Sequence, residues 1–164
     1  LALQSKLIVY VAIAGLLAMM GGFVLYASLD NPQLEQVEVD LVGVEVISVD
    51  RISGTLKMQT TFLVSNPSEK TFTVPAITYD VFAGDTRITS GQYSTEDIAM
   101  PGRAAFYPEA KIPLKSNTSV AKEDLSPRLY DLLVAGEFGN FSAEGMITVE
   151  SAWSIIEKEF STSM

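Results

Sequence analysis

Residues 7–29 read LIVYVAIAGLLAMMGGFVLYASL, 23 consecutive positions without a charge. As a helix rising 1.5 Å per residue the run is about 35 Å long, enough to cross the hydrocarbon core of a bilayer. It fits a membrane-spanning helix, a cleaved signal peptide, or the buried core helix of a pilin-like subunit. Signal-peptide apolar regions are shorter, and cleavage after Ala27 would put Leu25 where a small residue is preferred. The expectation is therefore a short N-terminal tail and transmembrane helix over 1–29, a polar stalk over 30–36, and a folded domain over 37–164.

Lys6 flanks the helix on one side, while Asp30, Glu35, Glu38 and Asp40 follow it with no base before Arg51. The positive-inside bias then keeps the N-terminus in the cytoplasm and puts the domain outside the cell membrane, extracellular or pseudoperiplasmic. Tyr10 and Tyr26 lie near the two ends, where interfacial aromatics belong. Ala14, Ala18 and Gly22 recur every four residues, a small-residue ridge that lets a second helix approach closely. The expected partners are thus membrane lipid and either a protein partner or another copy through this helix. The chain does not begin with Met, and a processed end leading straight into a hydrophobic helix is the pattern of a filament subunit. Lys6 would sit badly in a filament core.

The rest of the chain is strongly acidic. All 20 Asp and Glu lie beyond residue 29 with 10 of the 11 bases, a formal charge of 10 − 20 = −10. Phosphate binding needs a Lys/Arg excess, so nucleic acid is excluded as a partner. With no Cys and no His, the chain has no thiol nucleophile, disulfide, zinc finger, haem ligand or imidazole triad. No cofactor, metal or catalytic residue is expected.

Beyond the stalk, alternation dominates. Val37, Val39 and Leu41 share one face and Val42, Val44 and Val46 continue in the opposite phase, which predicts a bulge near Gly43. Leu56, Met58, Thr60, Phe62 and Val64 alternate with polar residues, and further strands are expected at 76–83, 87–95, 104–114 and 140–152. In the last, Phe141, Ala143, Ile147, Val149 and Trp153 are expected on one face, with Glu144 and Glu150 on the solvent face. Ala83-Gly84-Asp85-Thr86 predicts a hairpin turn. Ser126-Pro127 followed by Leu129, Leu132, Leu133 and Gly136 predicts one short helix with both caps. The sum is an all-β antiparallel sandwich with one short helix.

The segment Phe62-Leu63-Val64-Ser65-Asn66-Pro67-Ser68 carries a family resemblance. A strand ending in Asn-Pro is followed by Ile77-Thr78-Tyr79-Asp80-Val81-Phe82-Ala83-Gly84, a strand containing Gly91, and a turn at Ile98-Ala99-Met100-Pro101-Gly102. Over about 37–152, with the late helix and the Gly145-containing strand, this series resembles the type-2 late embryogenesis abundant (LEA) proteins. Their domain is WHy, for water stress and hypersensitive response. The resemblance implies a fibronectin-III-like β-sandwich without catalytic residues, frequently behind a single membrane helix, and in plants a link to dehydration and defence. Asn66 and Pro67 have a structural explanation of their own, because Pro ends sheet pairing and the Asn amide bonds the turning backbone.

The remaining candidates are few. Asn117-Thr118-Ser119 and Asn140-Phe141-Ser142 are glycosylation acceptors if the domain is outside, with Asn117 read as a loop residue. Ser116, Thr118 and Ser119 lack the basic partner a nucleophile needs. Trp153, Ile155, Ile156 and Phe160 form a C-terminal apolar cluster, read as core or as a docking patch led by Trp153 and Phe160. The expected function is a non-enzymatic, single-pass membrane protein whose outward sandwich binds or braces partners at the cell surface, as an accessory subunit of a membrane complex. The alternatives are a pilin-like filament subunit and a membrane-surface stress protectant.

Overall fold

The computed structural model describes residues 2–95 and 104–164. Helix α1 (Ala2–Ser28) and the one-turn helix α2 (Asn31–Leu34) precede a β-sandwich. Its strands are β1 (Glu38–Asp50), β2 (Thr55–Ser65), β3 (Phe72–Ala83), β4 (Thr86–Ser94), β5 (Ala105–Phe106), β6 (Lys111–Ala121), β7 (Phe141–Glu150) and β8 (Ile155–Ser163), with helix α3 (Pro127–Ala135) between β6 and β7. One antiparallel sheet has the order β1-β2-β6; the other runs β4-β3-β7-β8, with β5 paired to β3. This is the all-β sandwich with an N-terminal apolar helix that the sequence predicts.

Each sheet buries its alternate residues against the other. Leu56, Met58, Thr60, Phe62 and Val64 of β2 face Ile77, Tyr79 and Val81 of β3 and Phe141, Ala143, Ile147 and Val149 of β7, all buried. Each fully buried aromatic or aliphatic side chain contributes about 1.5–3 kcal/mol relative to exposure. The bulge near Gly43 is present: pairing slips between Leu41 and Gly43, leaving Val42 turned to solvent while Leu41 and Val44 both point inward. A second slip between Val46 and Ser48 turns Ile47 outward.

Four neighbouring strands contribute one inward row, Gly91, Tyr79, Gly145 and Phe160 in spatial order. Glycine and aromatic alternate, so the rings gain the space that the glycines leave. A Cβ on Gly91 would lie 2.4 Å from the Tyr79 ring, and one on Gly145 would lie 2.1 Å from the Thr78 carbonyl oxygen. Phe62 fills the opposite side, edge-on to Tyr79 at 4.8 Å and to Phe160 at 5.6 Å.

Helix α3 is capped as predicted. Ser126 Oγ accepts from the Leu129 amide, Pro127 opens the first turn, and Gly136 closes the last at φ +69°. Gly84 takes φ +59° in the β3–β4 turn.

The structure corrects four expectations. The 104–114 strand is split: β5 stops at Phe106, the chain turns through Pro108 and Glu109 (φ +65°), and β6 begins at Lys111. Strand β6 continues to Ala121, so Asn117 is a strand residue opposite Gln59. Strand β3 begins at Phe72, before the predicted 76, because Pro75 sits where pairing with β7 slips and needs no ladder donor. Trp153 does not continue the inward face of β7; it projects from the turn into β8 and is 55% exposed. The predicted turn at Ile98-Ala99-Met100-Pro101-Gly102 lies outside the described residues.

Candidate functional site at the helix to sandwich junction

The helical stretch Lys6–Leu34, most of it α1, is long and apolar enough to cross a membrane, and none of its most apolar window is buried by the sandwich. Its length and exposure support membrane anchoring. Ala14, Ala18 and Gly22 share an open face, with no atom from elsewhere in the chain near Gly22.

The segment read as a stalk is packed into the domain. After the last turn of α1, Asp30 is buried and Pro32 lies in the first turn of α2, where its missing N–H costs nothing. Leu34 and Val37 are buried in the core. Around them, polar groups from three separated parts of the chain converge. Lys70 pairs with Asp30 at 3.1 Å. Ser151 Oγ donates to Asp30 Oδ2 at 3.4 Å, Ser154 Oγ donates to Asn31 Oδ1, and Gln33 Oε1 accepts from the Glu69 amide at 3.4 Å. Lys158 Nζ closes the cluster by donating to the carbonyls of Glu35 at 2.8 Å and Val37 at 2.6 Å.

Asn66 organises the loop that presents Lys70. It is 1% exposed, and its Nδ2 donates to the carbonyls of Lys70 and Phe106, both at 2.8 Å. Its Oδ1 accepts from the Ser68 amide at 3.0 Å and the Ser68 hydroxyl at 2.7 Å. The backbone is committed as well: Asn66 N–H donates to Ala110 and its carbonyl accepts from Glu109. Pro67 next to it is exposed. With every polar atom of the Asn66 amide engaged inside the fold, its role here is to shape a turn. That turn holds the lysine that grips the start of the linker.

Trp153 lies at the same end, in the Ser151–Ser154 turn, edge-on to Phe23 of α1 at 5.8 Å. Phe160 is separate from it, half-buried and packed on the core against Phe62. The proposed docking pair is therefore divided: Trp153 faces out and Phe160 faces in. Asn117 and Asn140 are both exposed; Asn117 Oδ1 accepts from Gln59 Nε2 at 3.1 Å.

Two other places carry polar groups. The outer face of the larger sheet forms a shallow basin of about 730 Å³ lined by Asp80, Glu144, Met146 and Glu159. There Asp80 is already held by Arg87 at 3.6 Å and by the Ser90 hydroxyl. Among the described residues no cluster of acidic side chains is placed to hold a metal ion. Inside the sandwich, Thr60 Oγ1, Thr118 Oγ1 and the Tyr79 hydroxyl are buried without a hydrogen bond. Burial raises the Tyr79 pKa above its ordinary value; Ser116 and Thr60 lie near enough to offset part of this without reaching bonding geometry. Ser116 donates to the Gln92 carbonyl at 3.0 Å, joining β6 to β4.

Sequence reasoning missed α2, the Asp30–Lys70 pair and strand β8. The spacing of Leu34 and Val37 was the available signal for the first. For β8 it was alternation over 156–162, obscured because Lys158 and Thr162 occupy inward positions.

No family model matches the chain, and no curated protein matches it. Solved structures do. The solution structure of AT1g01470 from Arabidopsis thaliana superposes with a TM-score of 0.50 at 13% identity, covering 77% of this chain and 80% of that one. A crystal structure of a protein from Archaeoglobus fulgidus gives 0.44 at 12% identity, over 76% and 94% of the two chains. A solution structure of a candidate late embryogenesis abundant protein, At2g46140.1, gives 0.44 at 16% identity, over 93% and 81%. The likeness to the first is one of fold alone.

Proposed function

We propose that the chain is a non-enzymatic, single-pass membrane protein whose WHy-like sandwich is held rigidly at the outer membrane surface and braces a membrane-protein partner. One observation carries this reading: an exposed apolar helix runs into the sandwich through a short linker in which Asp30, Leu34 and Val37 are buried and Asp30, Asn31 and Gln33 are bonded to the domain. A flexible tether would serve a domain that searches for its ligand; a docked linker transmits position from the membrane to the domain. The outward orientation rests on Lys6 ahead of the helix and the acidic residues after it. The open Ala14, Ala18, Gly22 face is the surface on which a partner helix packs.

Extraction in mild detergent followed by native mass measurement tests this. A heteromeric complex is expected, and it should dissociate when Ala14, Ala18 and Gly22 are all replaced by Leu. A lone monomer would overturn the bracing role, and a long homopolymer would replace it with the filament reading.

A further inference from the structure

The turn joining β7 to β8 sits beside the membrane helix. Between Glu150 and Glu157 the chain reads Ser151-Ala152-Trp153-Ser154-Ile155-Ile156, with no charge. Trp153 is 55% exposed and Ile155 65% exposed. The turn's backbone is satisfied from within: the Ser151 amide donates to the Ser154 carbonyl at 2.8 Å, and Ser151 Oγ accepts from the amides of Trp153 at 3.2 Å and Ser154 at 3.1 Å. Its two serines also bond Asp30 and Asn31, which fixes the turn against the end of the helix. A turn that satisfies its own amides loses little on leaving water, and an exposed Trp and Ile gain by doing so.

The position of the indole says what covers it. Its nearest aromatic is Phe23, on the exposed apolar surface of α1 and five residues before the helix ends at Ser28. Five residues of helix rise about 7.5 Å, so the ring lies level with the last turns of the span. Tyr26 and Leu29 are exposed on the same stretch. The apolar surface that α1 offers to lipid therefore continues onto Trp153, with the exposed Ile155 two residues further along the same turn. Trp is enriched at the depth where acyl chains meet headgroups, because its ring is apolar and its N–H seeks a polar partner.

We propose that the Trp153–Ile155 turn inserts into the headgroup–acyl boundary of the same bilayer that α1 spans. It forms a second membrane contact that fixes the tilt of the sandwich. This inference rests on α1 spanning the membrane. Trp153 is the single Trp of the chain, so its fluorescence reports this turn alone. The full chain would be reconstituted into phosphatidylcholine vesicles containing lipid brominated either near the headgroup or near the chain terminus. The expected result is flotation with the vesicles, blue-shifted emission, and quenching of about twofold or more by the shallow label with less by the deep one. Flotation with emission quenched by aqueous iodide and by neither lipid would overturn the inference and leave the anchored reading standing. Blue-shifted emission untouched by iodide and by both lipids would overturn it in favour of a second copy covering the turn. Stronger quenching by the deep label would overturn the interfacial position. Failure to float would overturn the membrane span itself and this inference with it.

Discussion

Replacing Asn66 tests the claim that one buried amide organises the end of the sandwich to which the helix is tied. Asn66→Ala removes four hydrogen bonds. Their partners do not suffer equally. The Lys70 carbonyl keeps a contact with Ser68 Oγ at 3.3 Å, and the Ser68 hydroxyl can rotate toward it. The Phe106 carbonyl and the Ser68 amide belong to residues that are almost wholly buried, and these two groups are stranded. At about 1–3 kcal/mol for each unsatisfied group, the loss is about 2–6 kcal/mol, a large part of the roughly 5–15 kcal/mol that holds a domain together. Asn66→Asp separates the two halves of the network. It keeps the acceptor for Ser68 but sets a carboxylate oxygen against the carbonyls of Lys70 and Phe106, which disfavours ionisation and raises the folded-state pKa above the ordinary value of about 3.9. A carboxyl with a raised folded value contributes stability that is fully present below the unfolded pKa and is lost as pH rises through the folded one. Relative to the parent chain at the same pH, the Asn66→Asp deficit should therefore be smaller at pH 3 than at pH 7, whereas that of Asn66→Ala should not change. Urea unfolding of the chain in detergent, followed by the strand signal in far-ultraviolet circular dichroism, measures both. A loss below about 1 kcal/mol for Asn66→Ala, or identical pH profiles for the two variants, would refute the argument.

Two further outcomes follow from the inward Gly-aromatic row. Gly145→Ala should cost more than about 3 kcal/mol, because its Cβ would meet the Thr78 carbonyl oxygen at 2.1 Å and the Tyr79 Cα at 2.8 Å, backbone atoms that move only if β3 and β7 separate. The control Gly139→Ala, outside that row and with nothing within 4 Å, should stay within about 0.5 kcal/mol by the same urea unfolding. Burial raises the Tyr79 pKa above 10.0, so the stability of its neutral form is fully present below that pH and is lost as pH rises through the folded value. Tyr79→Phe should therefore flatten the alkaline limb of the stability profile. It should cost less than about 1 kcal/mol at pH 7, since the hydroxyl it removes has no partner; a larger loss would mean that the hydroxyl is bonded.

The sandwich was legible wherever alternation was uninterrupted. Strands β2 and β7 and the caps of α3 follow directly from apolar periodicity and from Ser126, Pro127 and Gly136, since local chemistry decides each of them. The bulge in β1 was readable because the valines themselves change phase at Gly43. Elsewhere a residue's usual meaning was reversed by its tertiary partner. Pro75 argues against a strand in isolation, yet it falls where the β3–β7 pairing slips. Asp30 and Asn31-Pro32 argue for a solvated stalk until Lys70, Ser151 and Ser154 arrive from far along the chain to meet them. The junction was hidden for the same reason: its bonds join residues up to 123 positions apart, and no local pattern announces such pairs.

Lys158 and Thr162 have a consequence for what this domain avoids. Strands β1 and β8 are the outermost members of their sheets at one seam, and a strand in that position ordinarily offers a row of free amides and carbonyls to any extended chain that passes. Here two of the inward-phase residues of β8 occupy the start of that row: Lys158 takes the carbonyl of Val37, and Thr162 Oγ1 takes the amide of Leu41 at 3.1 Å. An incoming strand would have to break both and strand an ammonium group against the core. Sheet-to-sheet growth between copies is thus disfavoured at the start of that seam.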